Sequence, residues 1–352
     1  LKGNSLEIWA GRVAAQRLCS SGFALNLFDV AVGASGGPKW LVLSALDRVL
    51  CELLKTRQNP IHLLGSSSGA WRFAGYCQAD SHRALSLLED AYIEANWSVA
   101  RPLEQRSETA LKILEAFLPP GQSIQLAPSK FFPHFIAAEC QGLIARESTP
   151  IQIAGLLLAL AVQSIKGRAA LAPSISRTLF SDSRSALPSA LSDIATKREV
   201  LNEQNYRQVL LASGSIPLVL PAIRDIPGAP GVFRDGGLID YHFDQLPIHS
   251  DGLILMPHFL SELQLGWLER LAPKSVLPNP NLDRLVIVCP AQAWLRSLPS
   301  GKLPDRDDAR LLTPELRRYH WHQAALRGQE LAEEFERRFQ AGTLLDGLQT
   351  LG

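Results

Sequence analysis

No excess of charge of either sign runs through this sequence, which has 35 lysines and arginines against 34 aspartates and glutamates. That balance removes the electrostatic argument for a nucleic-acid partner and for strong attraction to an anionic membrane surface. Cysteine is scarce and unpatterned. Cys19, Cys51, Cys77, Cys140 and Cys289 form no C-x-x-C pair, which argues against a disulfide framework or a zinc site and for reduced thiols in a cytoplasmic setting. The opening residues, Leu1 to Ser5, do not read as a signal peptide. No apolar run reaches the roughly 20 residues a bilayer-spanning helix needs. The longest, Ile151 to Ile165, is interrupted by Gln152 and Gln163. It reads as a buried core helix, with a lipid-facing flap as the alternative. Repeats and low-complexity tracts are absent, so one domain over 1–352 is expected, long enough to bury a substantial core.

The elements that are present alternate. Leu6 to Leu18 has helical apolar spacing, and Leu25 to Val32 suits a buried strand ending in the turn Gly33-Ala34-Ser35-Gly36-Gly37. Pro38 then fits the first position of a helix, where its missing N–H costs nothing. Ile61 to Leu64 is the next strand, followed by Gly65-Ser66-Ser67-Ser68-Gly69 and a helix over Ala70 to Cys77. Strand, turn and helix repeated in this way predict an α/β fold with a mainly parallel central sheet and helices on both faces. Residues 82–205 read as a helical insertion broken near Pro119-Pro120, Pro128 and Pro150, with a serine-rich loop from Ser174 to Ser192. Strand-like runs return at Val232-Phe233, Leu253 to Met256 and Leu285 to Cys289. A C-terminal extension, 241–352, follows a core of about 25–240. It closes with a helix capped by Thr313, begun at Pro314 and ended before Gly342.

Two stretches match G-x-S-x-G, Gly33 to Gly37 and Gly65 to Gly69, and each follows a strand signal and precedes a helix signal. In that setting the pattern pushes the central serine onto a sharp, exposed elbow at a helix N-terminus. Local context does not choose between Ser35 and Ser67. Acyl transfer also needs backbone donors aimed at a developing oxyanion, and consecutive glycines suit that task because no side chain blocks the approach. Gly36 and Gly37 therefore read as the oxyanion loop and Ser67 as the nucleophile, with the Ser68 N–H as a further donor. Asp235-Gly236-Gly237 holds a carboxylate on a turn, although the same three residues are a common turn signal. His62 lies in the strand before the elbow and reads as a core residue. His242, His249 and His258 follow the elbow in chain order and would supply a Ser-Asp-His triad with Asp225 or Asp235. His320 and His322 are two apart on a helix, too close to share a face as metal ligands, and neither a metal nor a cofactor is expected. A phosphate loop at Gly33 to Lys39 fails the G-x-x-x-x-G-K-S/T template, because Pro38 and Trp40 stand where Gly and Ser or Thr belong. The tract Leu298 to Arg306 reads as a structured loop of mixed charge with no function attached.

A glycine loop ending in a basic residue, a G-x-S-x-G elbow and a distant D-G-G turn, in that order, resemble the patatin-like phospholipase family. That family's loop usually reads D-G-G-G-x-R/K-G. Laid on Ala34 to Trp40, it matches at Gly36, Gly37 and Lys39 and departs at Ala34, Ser35 and Trp40. Ala212-Ser213-Gly214-Ser215-Ile216-Pro217 is similar to the family's A-S-x-A-x-P segment. The resemblance implies a Ser67–Asp235 dyad without histidine, acting on acyl-ester lipids with transient contact to a membrane surface. It gives Lys39 either an anionic head group or a structural carboxylate as its partner. A chain of this fold that binds lipid without turnover is the competing expectation. Oligomeric state is not legible.

Overall fold

The computed structural model describes residues 4–98, 100–124, 126, 129–187, 193–243, 251–263 and 282–351. In chain order its elements are β1 (Leu6–Ala10), α1 (Arg12–Ser21), β2 (Phe28–Gly33), α2 (Ser44–Lys55), β3 (Ile61–Ser66), α3 (Ser68–Tyr76), α4 (Ser81–Glu94) and α5 (Leu103–Phe117). There follow β4 (Phe131–Cys140), α6 (Thr149–Lys166), β5 (Ile175–Asp182), β6 (Thr196–Leu201), α7 (Tyr206–Ser213), β7 (Ile223–Ile226) and β8 (Ala229–Asp235). The last are β9 (Leu253–Pro257), β10 (Leu285–Pro290), α8 (Gln292–Arg296), α9 (Asp308–Leu311), α10 (Pro314–Gln340) and β11 (Gln349–Thr350). The glycine loop leads into a 3-10 helix, Gly37–Leu43, with Pro38 in its first turn.

These strands form one sheet in the order β11-β1-β10-β9-β2-β3-β4-β5-β6, with β8 on β4 and β7 on β8. The fold is α/β, and the sheet is mixed rather than mainly parallel. From β10 through β9, β2 and β3 to β4 the strands run parallel, as helical crossovers require. β1 runs antiparallel to β10, and β5 and β8 both run antiparallel to β4. The difference from expectation lies in residues 82–205, which hold β4, β5 and β6 as well as helices. β4 and β5 carry buried polar side chains, His134, Arg177 and Thr178 among them, and these interrupt the apolar signal by which a strand is read. Arg177 is satisfied inside by Asp240 at 2.6 Å and Asp193 at 2.9 Å. The strand-like runs expected after residue 250 form as β9 and β10, with β9 beside β2 and β10 beside β9. At the other end, the helical spacing over Leu6 to Leu18 resolves into β1 and then α1.

Successive strand residues point to opposite faces. Ala31, Leu63, Leu255 and Val288 join a large apolar cluster with Leu46, Phe73, Leu85, Leu114, Leu210 and Phe335 from the helices. Val30, Leu64, Ile254 and Ile287 turn to a smaller cluster, to which no α-helix contributes among the described residues. Among the described residues helices therefore cover mainly one face, and α6 packs in a third cluster with Ala138, Ile175 and Leu238. The C-terminal helix is as expected: Thr313 Oγ1 accepts from Leu316 N at 3.3 Å and Pro314 opens α10.

The run expected as a buried core helix is helical but largely exposed. Gln152, Gly155, Leu156, Ala159 and Gln163 face the protein. Ile151, Ile153, Leu157, Leu158 and Ile165 face outward, Leu157 and Leu158 at 59% and 58% exposure. Gln152 is held inside by Leu218 N, which donates to its Oε1 at 2.6 Å, and by its own Nε2, which donates to Arg146 O at 2.8 Å. The polar interruptions thus choose the buried stripe and leave the leucines outside. By length and composition this helix is able to cross a membrane.

Candidate active site

The site forms where two strands meet along one edge of β4. β3 pairs with β4 as far as Ser66 opposite Ile136. The next residue of β4, Ala137, is opposite Asp235, the last residue of antiparallel β8. Leaving the sheet at this junction, the chain puts Ser67 against Asp235, and Ser67 Oγ donates to Asp235 Oδ2 at 2.7 Å. Ser213, in the segment similar to A-S-x-A-x-P, clamps the junction: its Oγ accepts from Ser67 N at 2.9 Å and donates to Ile136 O at 2.7 Å. Ser215 O accepts from Asp235 N at 2.9 Å.

Ser67 has φ 53° and ψ −126°, outside the regions open to ordinary L-residues, and α3 begins at the next residue. Such a backbone costs on the order of 1–3 kcal/mol and persists only where its surroundings over-determine it. Two features do so. Gly69 lies so close to Gly33 that a Cβ on it would sit 1.8 Å from Gly33 O, which lets α3 start hard against the end of β2. Arg72 of α3 makes a buried two-point ion pair with Asp47 of α2, both bonds 2.7 Å, and Tyr76 adds a third bond to Asp47 at 2.9 Å. In the first turn of α3 the Ala70 N–H donates to Ser67 O at 3.0 Å, while the Ser68 and Gly69 N–H groups have no acceptor among the described residues, as is usual at a helix start.

Asp235 is 5% exposed. Burial pushes its carboxyl up to about 6, against the opposing effects of the Ser67 hydrogen bond, the Gly237 N–H at 2.7 Å and the Arg306 charge. Its two oxygens are therefore occupied, one by the serine and one by the turn that follows it. Across the cleft, a Cβ on Gly36 would lie 2.5 Å from the Phe259 ring, so any larger residue there would have to displace that buried ring. The N–H groups of Gly36 and Gly37 have no acceptor among the described residues. A buried N–H rarely stays unpaired unless a ligand oxygen or water takes it. Lys39 turns away to Asp305 at 3.1 Å. Burial alone would raise the Asp305 carboxyl, yet Lys39, the Asp307 N–H and Arg306 together hold it below the usual range.

The other candidates are placed elsewhere. Ser35 is buried, its Oγ donating to Ser66 Oγ at 3.0 Å and its N–H to Tyr241 O at 2.8 Å. It lines the same cleft without a carboxylate partner. Asp225 is an exposed residue of β7 and accepts from Gly231 N at 3.1 Å. His62 pairs with His134 at 2.8 Å. His242 and His258 stack with Tyr241 and Phe259, and neither is bonded to Ser67 or Asp235. Burial pushes His258 down to about 4. His249 lies outside the described residues, as does Pro128. Among the described residues no group of three or more His, Cys, Asp or Glu side chains is arranged to hold a metal ion.

Two clefts meet at Ser67. One is lined by Ser35, Gly36, Gly37, Pro217, Asp235, Gly237, Tyr241 and Arg306. The other is apolar, lined by Trp71, Tyr92, Trp97, Ala110, Val219 and Leu220. Ser213, Arg306, Tyr92 and Trp97 were not legible as site residues. Ser213 lay inside a motif that marked the place without marking the side chain.

Fold and site together define an α/β protein whose sheet carries a directly bonded serine–aspartate pair beside a glycine loop with unpaired donors. No family model matches the sequence, and no curated protein matches it. Among solved structures the chain is similar to VipD from Legionella pneumophila, with 12% identity and a TM-score of 0.29. That likeness covers 75% of this chain, which spans 55% of the VipD chain.

Proposed function

We propose that the chain is a serine acyl hydrolase that cleaves carboxylic esters of lipids with Ser67 as nucleophile and Asp235 as base. The observation that carries this reading is the 2.7 Å bond between a serine on a strained elbow and a buried aspartate. A carboxyl pushed up toward neutrality is basic enough to accept the serine proton, yet ionised at pH 7. Ser67 Oγ attacks the ester carbonyl while its proton passes to Asp235. The tetrahedral oxyanion is bound by the Gly36 and Gly37 N–H groups, with the Ser68 N–H and the positive end of α3 in support. Collapse expels the alcohol, which takes the proton from Asp235 and leaves an acyl-serine. Water, deprotonated by Asp235, attacks the acyl-serine, and the proton returns to Ser67 as the acid departs. The apolar cleft is suited to the acyl chain. The resemblance to patatin-like phospholipases supplies the lipid part of the reading, and Lys39 serves as a structural tie.

A fluorophosphonate probe tests the assignment. Stoichiometric labelling is expected, lost in Ser67→Ala and kept in Ser35→Ala. A folded chain that takes no label is a lipid-binding protein without turnover, and a label lost in Ser35→Ala moves the nucleophile to Ser35.

A lipid surface is the partner that best suits α6. The helix is joined to the cleft by the bond from Leu218 N to Gln152, because Leu218 stands between Pro217 and Val219, which line the two clefts. Its outward leucines would enter the interface beside the cleft mouth. Burying each contributes about 1.5–3 kcal/mol. Leu157→Glu with Leu158→Glu is therefore expected to weaken co-sedimentation with phosphatidylcholine vesicles by at least about 100-fold. A chain that ignores vesicles but forms a dimer dissolved by the same substitutions would assign this face to a second copy instead.

A further inference from the structure

Arg306 is a charged residue of the cleft lining for which the proposed reaction has no use. It comes from the loop of mixed charge before α9, and its stem fills the space that Gly37 leaves open: a Cβ on Gly37 would lie 3.1 Å from Arg306 Cγ. Three aspartates surround it in sequence, and each is engaged by another cation. Asp305 pairs with Lys39 at 3.1 Å, Asp307 with Arg310 at 3.5 Å and Asp308 with Lys302 at 2.6 Å. Among the described residues nothing forms an ion pair or hydrogen bond with the Arg306 guanidinium. A half-buried guanidinium whose neighbouring carboxylates are all taken is a donor fork facing a cleft. Such forks match the oxygens of phosphate and carboxylate.

The chemistry says which part of a substrate meets it. Asp235 must hand its proton to the departing oxygen, so the alcohol leaves through the cleft that Asp235 lines. Arg306 lines that same cleft, whereas the apolar one is free for the acyl chain. We infer that Arg306 binds an anionic oxygen group, of the phosphate class, carried on the alcohol portion of the ester. This inference rests on the proposed reaction for its direction. It also gives the segment before α9 a task, since Asp305 fastens the glycine loop through Lys39 while Arg306, one residue on, faces the substrate.

The test uses a matched soluble pair, 1-butyryl-glycerol 3-phosphate and 1-butyryl-glycerol, with the whole chain. The ratio of kcat/KM values, phosphate over neutral, does not depend on how much of a preparation is folded. A charge-assisted hydrogen bond to a partly desolvated anion is worth roughly 10- to 100-fold. The ratio is expected to favour the phosphate ester by that factor, to fall at least 10-fold in Arg306→Gln and to recover in part in Arg306→Lys. A ratio near one in the unaltered chain overturns the inference. So does an equal loss of both activities in Arg306→Gln, which would mean that the guanidinium serves the oxyanion. Calorimetric binding of the phosphate ester to Ser67→Ala separates the two readings. Arg306-dependent binding without turnover in the parent chain sinks the hydrolase and keeps the anion site. Turnover with an unchanged ratio does the reverse. Binding that inorganic phosphate displaces as well in Arg306→Gln as in the parent places the anion elsewhere and also overturns it.

Discussion

Asp235→Asn is expected to abolish turnover and, above pH 6, to stabilise the fold. The first effect follows from Asp235 being the only base bonded to the Ser67 hydroxyl among the described residues. General-base catalysis contributes 10²–10⁴-fold, so a fall of at least about 10³ in kcat/KM is expected. The second follows from linkage. The Asp235 carboxyl is raised from 3.8 to about 6, chiefly by burial. Between those values the native state holds a proton that the unfolded chain has released, so stability falls as pH rises through the window. The loss amounts to about 3 kcal/mol at 1.36 kcal/mol per pH unit. It is complete above pH 6, where the native chain carries a buried charge. Asparagine has no charge to bury, and its amide oxygen still accepts from Gly237 N. Denaturant titrations at pH 4 to 8 should show the stability of Asp235→Asn relative to the parent growing as pH rises from about 4 to about 6, because the buried histidines, whose contribution runs the other way, are common to both chains. In the parent, kcat/KM on a short aryl ester should rise as pH passes about 6. Full esterase turnover in Asp235→Asn would sink the dyad. Loss of activity in His242, His249 or His258 variants, with Asp235→Asn neutral, would favour a histidine triad.

The second large effect is expected from Gly69→Ala. The added methyl would lie 1.8 Å from Gly33 O and 2.2 Å from Gly33 C, both backbone atoms that no rotamer change relieves. α3 must then retreat from the end of β2 by more than an ångström in a close-packed interior, at a cost on the order of 3 kcal/mol or more. Because α3 starts at Ser68, its retreat drags the elbow away from Asp235. A misplacement of that size costs on the order of 100-fold in rate. Fluorophosphonate labelling should therefore slow even in the folded fraction. Labelling at the parental rate with an unchanged melting temperature would show that the β2–α3 contact does not hold the elbow.

What the sequence revealed and what it hid divide along a physical line. Ser67, Gly36, Gly37 and Asp235 belong to short turns whose glycines announce a sharp change of direction, and the structure brings all four to one cleft. The α/β class was legible from the first two strand–turn–helix units for the same reason. β4 and β5 were hidden because His134, Arg177 and Thr178 are buried polar residues; Arg177 is bonded to Asp240 and His134 to His62, both distant in sequence. The outward face of α6 was hidden because a run rich in leucine reads as core whichever way the helix is turned. The bonds to Gln152 reveal the rotation. Arg306 escaped notice because its significance depends on three aspartates being engaged elsewhere, a fact of pairing rather than of pattern.

The junction along β4 has a consequence for tolerance to change. Ser67 and Asp235 are separated by 168 residues of chain, yet their spacing is one rung of a ladder, from Ile136 to Ala137. Of the chain between them, Ser213 fastens that rung and the rest supplies the walls of the clefts. The loops, α6 and the clefts' outer walls can lengthen, shorten or be exchanged while the reacting atoms keep their distance. A fold indexed in this way separates the part that does chemistry from the part that chooses what enters, and leaves the second free to diverge.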